Sequence, residues 1–234
     1  GLFDFGRGLA QGESPKMIWD LICGNLTSQG NQEYNYQLLR GYLNGLSEID
    51  RQLTNQLLDQ ALESELLSIV YPLLQSSIKF TDIDSERILK SLHIGKANIW
   101  LYRHLAYGRI HEGICDEKLA EILKLLSSKD GGLDVAIEVL SMRLYGAESK
   151  EDLSECILNI GKEIILHLNF DSDSNKRDNH HEGQIIKICY RGDQGLNTAR
   201  EFCEKLYSNF ISYKIGPYDY EEVISSLVEV QPKV

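Results

Sequence analysis

Prolines at positions 15, 72, 217 and 232 are the only ones in this chain of 234 residues. Proline lacks a backbone donor and clashes with the preceding helical turn, so its scarcity leaves long stretches free to run as helix. Within those stretches the apolar residues recur at intervals of three and four. Leu38, Leu39, Tyr42, Leu43 and Leu46 form one stripe, Leu53, Leu57, Leu58, Ala61 and Leu62 a second, and Leu119, Ile122, Leu123 and Leu126 a third. The pattern continues in Leu153, Ile157, Ile160, Ile164 and Leu168, and in Leu196, Ala199, Phe202, Leu206 and Phe210. Such spacing gathers side chains on one face of an α-helix. No segment alternates cleanly for more than a few residues, so the sequence predicts no sheet.

Start and stop signals divide the stripes. Ser14 before Pro15, Asp50, the Ser149-x-x-Asp152 box and Asp219 are candidate N-caps, and glycines at 30, 95, 131, 132, 146, 192 and 216 fall where helices should end. Pro72 must kink a helix over 64–76 or split it after Val70. The reading is about twelve helices, near 14–29, 34–48, 51–62, 64–76, 84–94, 97–107, 116–128, 132–145, 151–169, 179–191, 195–213 and 219–230. The links are short, so neighbours should form antiparallel hairpins. Taken in pairs, the helices start every ~30 to 45 residues, the size of one unit in a helical array.

The expected fold is therefore all-α: a right-handed α-solenoid of about six antiparallel hairpins, similar to HEAT, armadillo or TPR arrays. It should occupy 14–234 as a single repeat domain, with 1–13 as a connecting segment. A compact helical bundle is the alternative, with the nearly all-round apolar segment 132–145 as its central helix. That alternative carries a different function, an enzyme or ligand-binding domain whose site is built from scattered side chains that no spacing reveals.

Charge narrows the partners. There are 35 acidic and 24 basic side chains, a net charge of -11. This disfavours nucleic acid, which is bound by displacing phosphate counterions with cations, and anionic membrane surfaces. No apolar run approaches the ~18 residues of a membrane span. The cysteines at 23, 115, 156, 189 and 203 are odd in number, widely spaced and without a C-x-x-C, which points to reduced thiols in a cytoplasmic protein. The opening Gly1 to Arg7 is neither a signal peptide nor a Met start, and reads as an interior piece of a longer chain. From 111 to 156 there are 11 acidic and 5 basic residues, a solvated face or one that steers a basic protein.

Few motifs carry chemistry. Asp171, Asp173, Asn175 and Glu182 fall at positions 1, 3, 5 and 12 of an EF-hand loop, but Lys176 stands where the turn needs glycine. The expectation is that no metal is held. His180 and His181 are adjacent, and neighbours at i and i+1 diverge on a helix, which argues against a joint metal site. Gly6-Arg-Gly8 is no phosphate cradle, since no strand precedes it and no lysine follows. No nucleophile-elbow context appears. No cofactor and no catalytic residue are expected. Residues 99–111 hold the densest mix of aromatic, arginine and histidine side chains. Trp100, Tyr102, Arg103, His104, Tyr107 and Arg109 are the types that dominate binding hot spots, so they are the candidate partner surface. The same types also fill helix seams.

Three strings, Phe5-Gly-Arg-Gly-Leu-Ala10, Tyr102-Arg-His-Leu-Ala-Tyr-Gly-Arg109 and Gly131-Gly-Leu-Asp-Val-Ala-Ile-Glu-Val-Leu-Ser-Met-Arg143, carry a resemblance together with Asp178-Asn-His-His-Glu182. Together they resemble the C-terminal helical-repeat regions of large bacterial STAND-type (NACHT-like) NTPases. The resemblance implies a helical sensor arm that recognises a foreign protein in antiphage defence. Its nucleotide-binding domain would lie upstream in the parent chain, and no Walker motif occurs here. The implied partners are a protein ligand and the rest of the parent chain.

Overall fold

A computed structural model describes residues 1–28, 35–145, 153–170, 179–216 and 218–234. Among them all regular structure is helical and no strand occurs. The helices are α1 Leu2–Leu9, α2 Pro15–Ser28, α3 Gln37–Ile49, α4 Arg51–Glu63, α5 Tyr71–Gln75 and α6 Asp82–Ile94. They continue as α7 Asp116–Ser127, α8 Gly132–Leu144, α9 Glu155–Leu166, α10 His180–Cys189, α11 Asp193–Ile211 and α12 Glu221–Val230. Ser68–Val70, Ile99–Ala106 and Ile110–Gly113 are 3-10 turns. None of the described helices is long and apolar enough to cross a membrane. The contacts divide the chain into two compact units, Gly1–Leu105 and Ala106–Val234.

In the first unit, α3 is central and packs against α1, α2, α4 and α5. Its stripe of Leu39, Tyr42, Leu43 and Leu46 is buried, as are Leu57, Leu58, Ala61 and Leu62 of α4. Each large side chain so buried contributes roughly 1.5–3 kcal/mol. Asp50 caps α4, accepting from the Leu53 amide at 2.9 Å. Pro72 splits the expected 64–76 helix after Val70: a 3-10 turn ends there and α5 begins, with proline in its first turn where no amide is required. Gly95 ends α6 in the left-handed region at φ 70°.

The first unit also holds a helix that the sequence reading placed in a connecting segment. α1 lies on α3 so closely that a Cβ built on Gly41 would sit 1.9 Å from the Phe3 carbonyl oxygen, and one on Gly6 2.2 Å from that of Leu38. Glycine is what allows these backbones to meet. Residues 97–107, expected as an α-helix, form instead the 3-10 turn Ile99–Ala106.

In the second unit each helix packs on the next but one: α7 on α9, α9 on α11, α8 on α10, and α10 on α12. α8 is buried nearly all round, through Val135, Ala136, Ile137, Val139, Leu140 and Leu144. Phe170, Tyr190, Phe202 and Tyr220 form an aromatic cluster, with Phe170 and Tyr220 edge-on at 5.0 Å. Lys205 donates to the Leu166 carbonyl at 2.6 Å, satisfying a free carbonyl at the end of α9. Asp219 does not cap α12 as expected. Its carboxylate accepts from the Gly216 amide at 2.5 Å, and α12 starts after Tyr220. The Ser149–Asp152 box lies outside the described residues.

Candidate functional site

The turn Ile99–Ala106 is anchored through Tyr102. Tyr102, Leu105 and Ala106 are buried, and the Tyr102 hydroxyl lies 2.8 Å from Ser91 Oγ of α6. Burial pushes the Tyr102 hydroxyl up to about 12, so it is neutral across the physiological range. Trp100 and Arg103 emerge on the other side, Trp100 with 45% of its surface exposed, and His104 is half-buried. A tight turn held by a buried tyrosine gives these two exposed side chains a fixed base.

Tyr102 therefore drops out of the candidate surface. At 1% exposure it is core: a 3-10 turn with three residues per turn aligns Tyr102 with Leu105, and both are buried. Tyr107 and Arg109 belong to the second unit and are exposed there. The Tyr107 hydroxyl donates to Glu138 of α8 at 2.8 Å, and Arg109, left-handed at φ 61°, pairs with Glu112 at 2.7 Å.

Asp171, Asp173 and Asn175 lie outside the described residues, and Glu182 is buried in the first turn of α10. His180 reaches Glu222 of α12 at 3.1 Å, whereas His181 reaches Ser141 of α8 at 2.8 Å, so the two rings serve different neighbours. Among the described residues no group of three His, Cys, Asp or Glu has metal-holding geometry. All five cysteines are free thiols, and burial pushes the Cys23 thiol up to about 11.

Two polar clusters were not legible from spacing. Ser141 Oγ donates to Gln184 Oε1 at 2.7 Å and so has no second proton for His181; His181 Nδ1 is then the donor toward Oγ. This Ser–His contact lacks the polarity of a nucleophile and its base. It is a strut between α8 and α10, with the serine wholly buried. In the first unit the buried Asp84 carboxylate accepts from Thr81 N at 2.8 Å, Thr81 Oγ1 at 2.7 Å, Gln75 at 2.9 Å and Arg87 at 3.1 Å, and also from Arg51. Arg87 in turn grips Asp59 through two bonds and bonds to Asn55. Both Asp84 oxygens accept two or more bonds, so the network clamps α4, α5 and α6 together around a saturated carboxylate.

A second exposed aromatic set lies in the second unit, at the end of α11. Tyr207, Phe210, Ile211, Tyr213 and Tyr218 all face solvent. Phe210 continues the face of Ala199, Phe202 and Leu206, but at 46% exposure it does not share their burial. The signal that marks this surface in the sequence is density: four tyrosines, one phenylalanine and two isoleucines fall between 207 and 220.

No family model matches the chain, and comparison with curated proteins and with solved structures likewise returns no match.

Proposed function

We propose that this chain is a non-catalytic protein-recognition module built as a helical-repeat solenoid, and that it is the sensor arm of a larger bacterial STAND-type defence NTPase. The observation that carries the recognition reading is the exposed pair Trp100 and Arg103 on a turn pinned from below by Tyr102. An aromatic and an arginine held on a rigid base are the elements from which hot spots are made, because little side-chain freedom is lost on binding. The next-but-one packing of α7 through α12 supports the solenoid part of the reading, since stacked hairpins make such contacts. The acidic balance supports a protein ligand with basic character over nucleic acid. The sensor assignment rests on the sequence resemblance alone.

A photo-crosslinker placed at Trp100 tests recognition. It should trap one protein in stoichiometric yield, and Trp100→Ala and Arg103→Ala should each weaken that complex at least about tenfold while thermal unfolding stays unchanged. Undiminished binding by both folded variants would sink the reading. The parent open reading frame tests the sensor assignment: a Walker-type domain should be encoded upstream, and its absence would remove the STAND proposal.

A further inference from the structure

The end of α11 carries more apolar side chains than the fold covers. Ala199, Phe202 and Leu206 are buried, and Phe202 meets the rings of Phe170 and Tyr190. Tyr207, Phe210 and Ile211 are spaced at i, i+3 and i+4 and form one exposed stripe: Phe210 prolongs the buried face past Leu206, and Tyr207 and Ile211 flank it. Tyr213 follows at φ 59°, a left-handed conformation that suits glycine and is uncommon for a bulky residue. The turn it makes is closed by backbone bonds, Tyr213 N to Phe210 O and Lys214 N to Asn209 O, both at 3.0 Å. The ring contributes nothing to that turn, because the residue is 95% exposed. Glycine would meet the backbone requirement better, so the fold itself does not account for a tyrosine here.

With Tyr218, five large side chains within twelve positions are exposed, from 46% for Phe210 upward. At ~150–250 Å² for a whole aromatic side chain, together they present roughly 700 Å². A typical monomer's largest apolar patch is about 300–600 Å², and a standard interface takes about 800 Å² from each partner. The area is that of half an interface.

Charge selects the occupant. Between 193 and 218 there are three anionic residues, Asp193, Glu201 and Glu204, and three cationic ones, Arg200, Lys205 and Lys214. This segment is neutral in a chain of net charge -11. A basic partner or nucleic acid gains nothing from a neutral aromatic face. Two copies of the chain repel one another through the rest of their charge and can meet without that penalty here, where the stripe is also its own complement. Tyrosine and phenylalanine rings pack well on their own kind in offset or edge-on pairs. A closed two-fold contact uses the same patch on both subunits, which is the commonest oligomer geometry. We propose that two copies of this chain associate through Tyr207, Phe210, Ile211 and Tyr213, with α11 against α11 about a two-fold axis.

Sedimentation velocity over a wide concentration series tests this, independently of the recognition reading. The wild-type chain should sediment as a dimer whose fraction rises with concentration. Tyr213→Gly removes the ring and relieves the left-handed strain, so it should weaken the dimer about tenfold or more while its thermal unfolding temperature holds or rises. Phe210→Ser should weaken the dimer similarly, and Trp100→Ala should leave it unchanged. A monomer at every concentration overturns the proposal, as does a dimer that both α11 variants leave intact or that Trp100→Ala weakens equally.

Discussion

Asp84 shows how much of this protein's order sits in single polar atoms. It is fully buried and takes hydrogen bonds from Thr81, Gln75, Arg51 and Arg87, the last itself almost wholly buried. Removing Asp84 strips the nearly buried Arg87 of one of its two carboxylate partners, and breaking such a buried pair costs about 3–5 kcal/mol. Asp84→Ala should therefore lower the unfolding free energy measured in urea by that amount, and a loss under ~1 kcal/mol would mean the network is not cooperative. Sequence could not expose this cluster, because Arg51, Gln75, Thr81, Asp84 and Arg87 come together only when α4, α5 and α6 pack. His111 is a similar case with a pH signature. It is buried and its Nδ1 has no hydrogen-bond partner. Burial holds its imidazole below the usual histidine range; Arg143 and Arg109 act in the same direction and Glu112 opposes them. The unfolded chain takes up the proton near pH ~6.5, before the folded one does. Stability present above that pH is therefore lost as pH falls toward the folded value. His111→Leu keeps the backbone carbonyl that accepts from Arg143 at 2.7 Å. Its unfolding temperature should fall less between neutral and mildly acid pH than that of wild type, and parallel curves would refute the assignment.

At the level of elements, most helices were legible because each repeats an apolar stripe over three turns, and the failures have specific physical origins. Helix α1 is hard to read in the sequence because Gly6 and Gly8 lower its helix propensity. The contact with α3 supplies what intrinsic propensity withholds, since the glycines let the two backbones touch. This makes two opposite predictions for one chemical change. Gly41→Ala should destabilise the chain by about 1–3 kcal/mol, because the new methyl meets the Phe3 carbonyl. Gly8→Ala, where a Cβ meets nothing within 4 Å, should stabilise it by about 0.5–1 kcal/mol through helix propensity. Chemical denaturation of both variants decides it, and a shared sign would show that the seam is looser than described. The 97–107 segment was placed as helix correctly but given the wrong pitch. Tyr102 and Leu105 fit both three and 3.6 residues per turn, and a window of eight residues does not separate the two. The same ambiguity hid the fate of Tyr102, while the exposure of Trp100 and Arg103 rests on which side of that turn α6 covers. On α11 the stripe of Ala199, Phe202, Leu206 and Phe210 keeps one face, and periodicity alone does not say that its cover stops before Phe210.

For the molecule as a whole, the all-helical class follows from proline scarcity and the spacing of leucines, whereas the order of packing does not. Nothing in the stripes distinguishes a bundle with one core from hairpins stacked in series. The division into two compact units likewise leaves no mark in composition or linker length near residue 105. In the second unit the series arrangement has an energetic consequence. α10 packs against α8, α9 and α12, while α11 packs against α9 and turns its Tyr207 stripe to solvent. In stacked repeats, stability is a sum of local terms and nearest-neighbour interfaces, so the segments with fewer neighbours open first. Amide hydrogen exchange should then be slowest in α9 and α10, around Ile164, Ile165, Ile185 and Ile186, all fully buried. It should be faster through the last turns of α11, from Ser208 to Tyr213, and low urea should open α11 and α12 while α9 and α10 stay protected. A bundle organised around one core would open α7 to α12 together, with one common free energy. Finding that single value would remove the solenoid reading of this unit, whatever its helices bind.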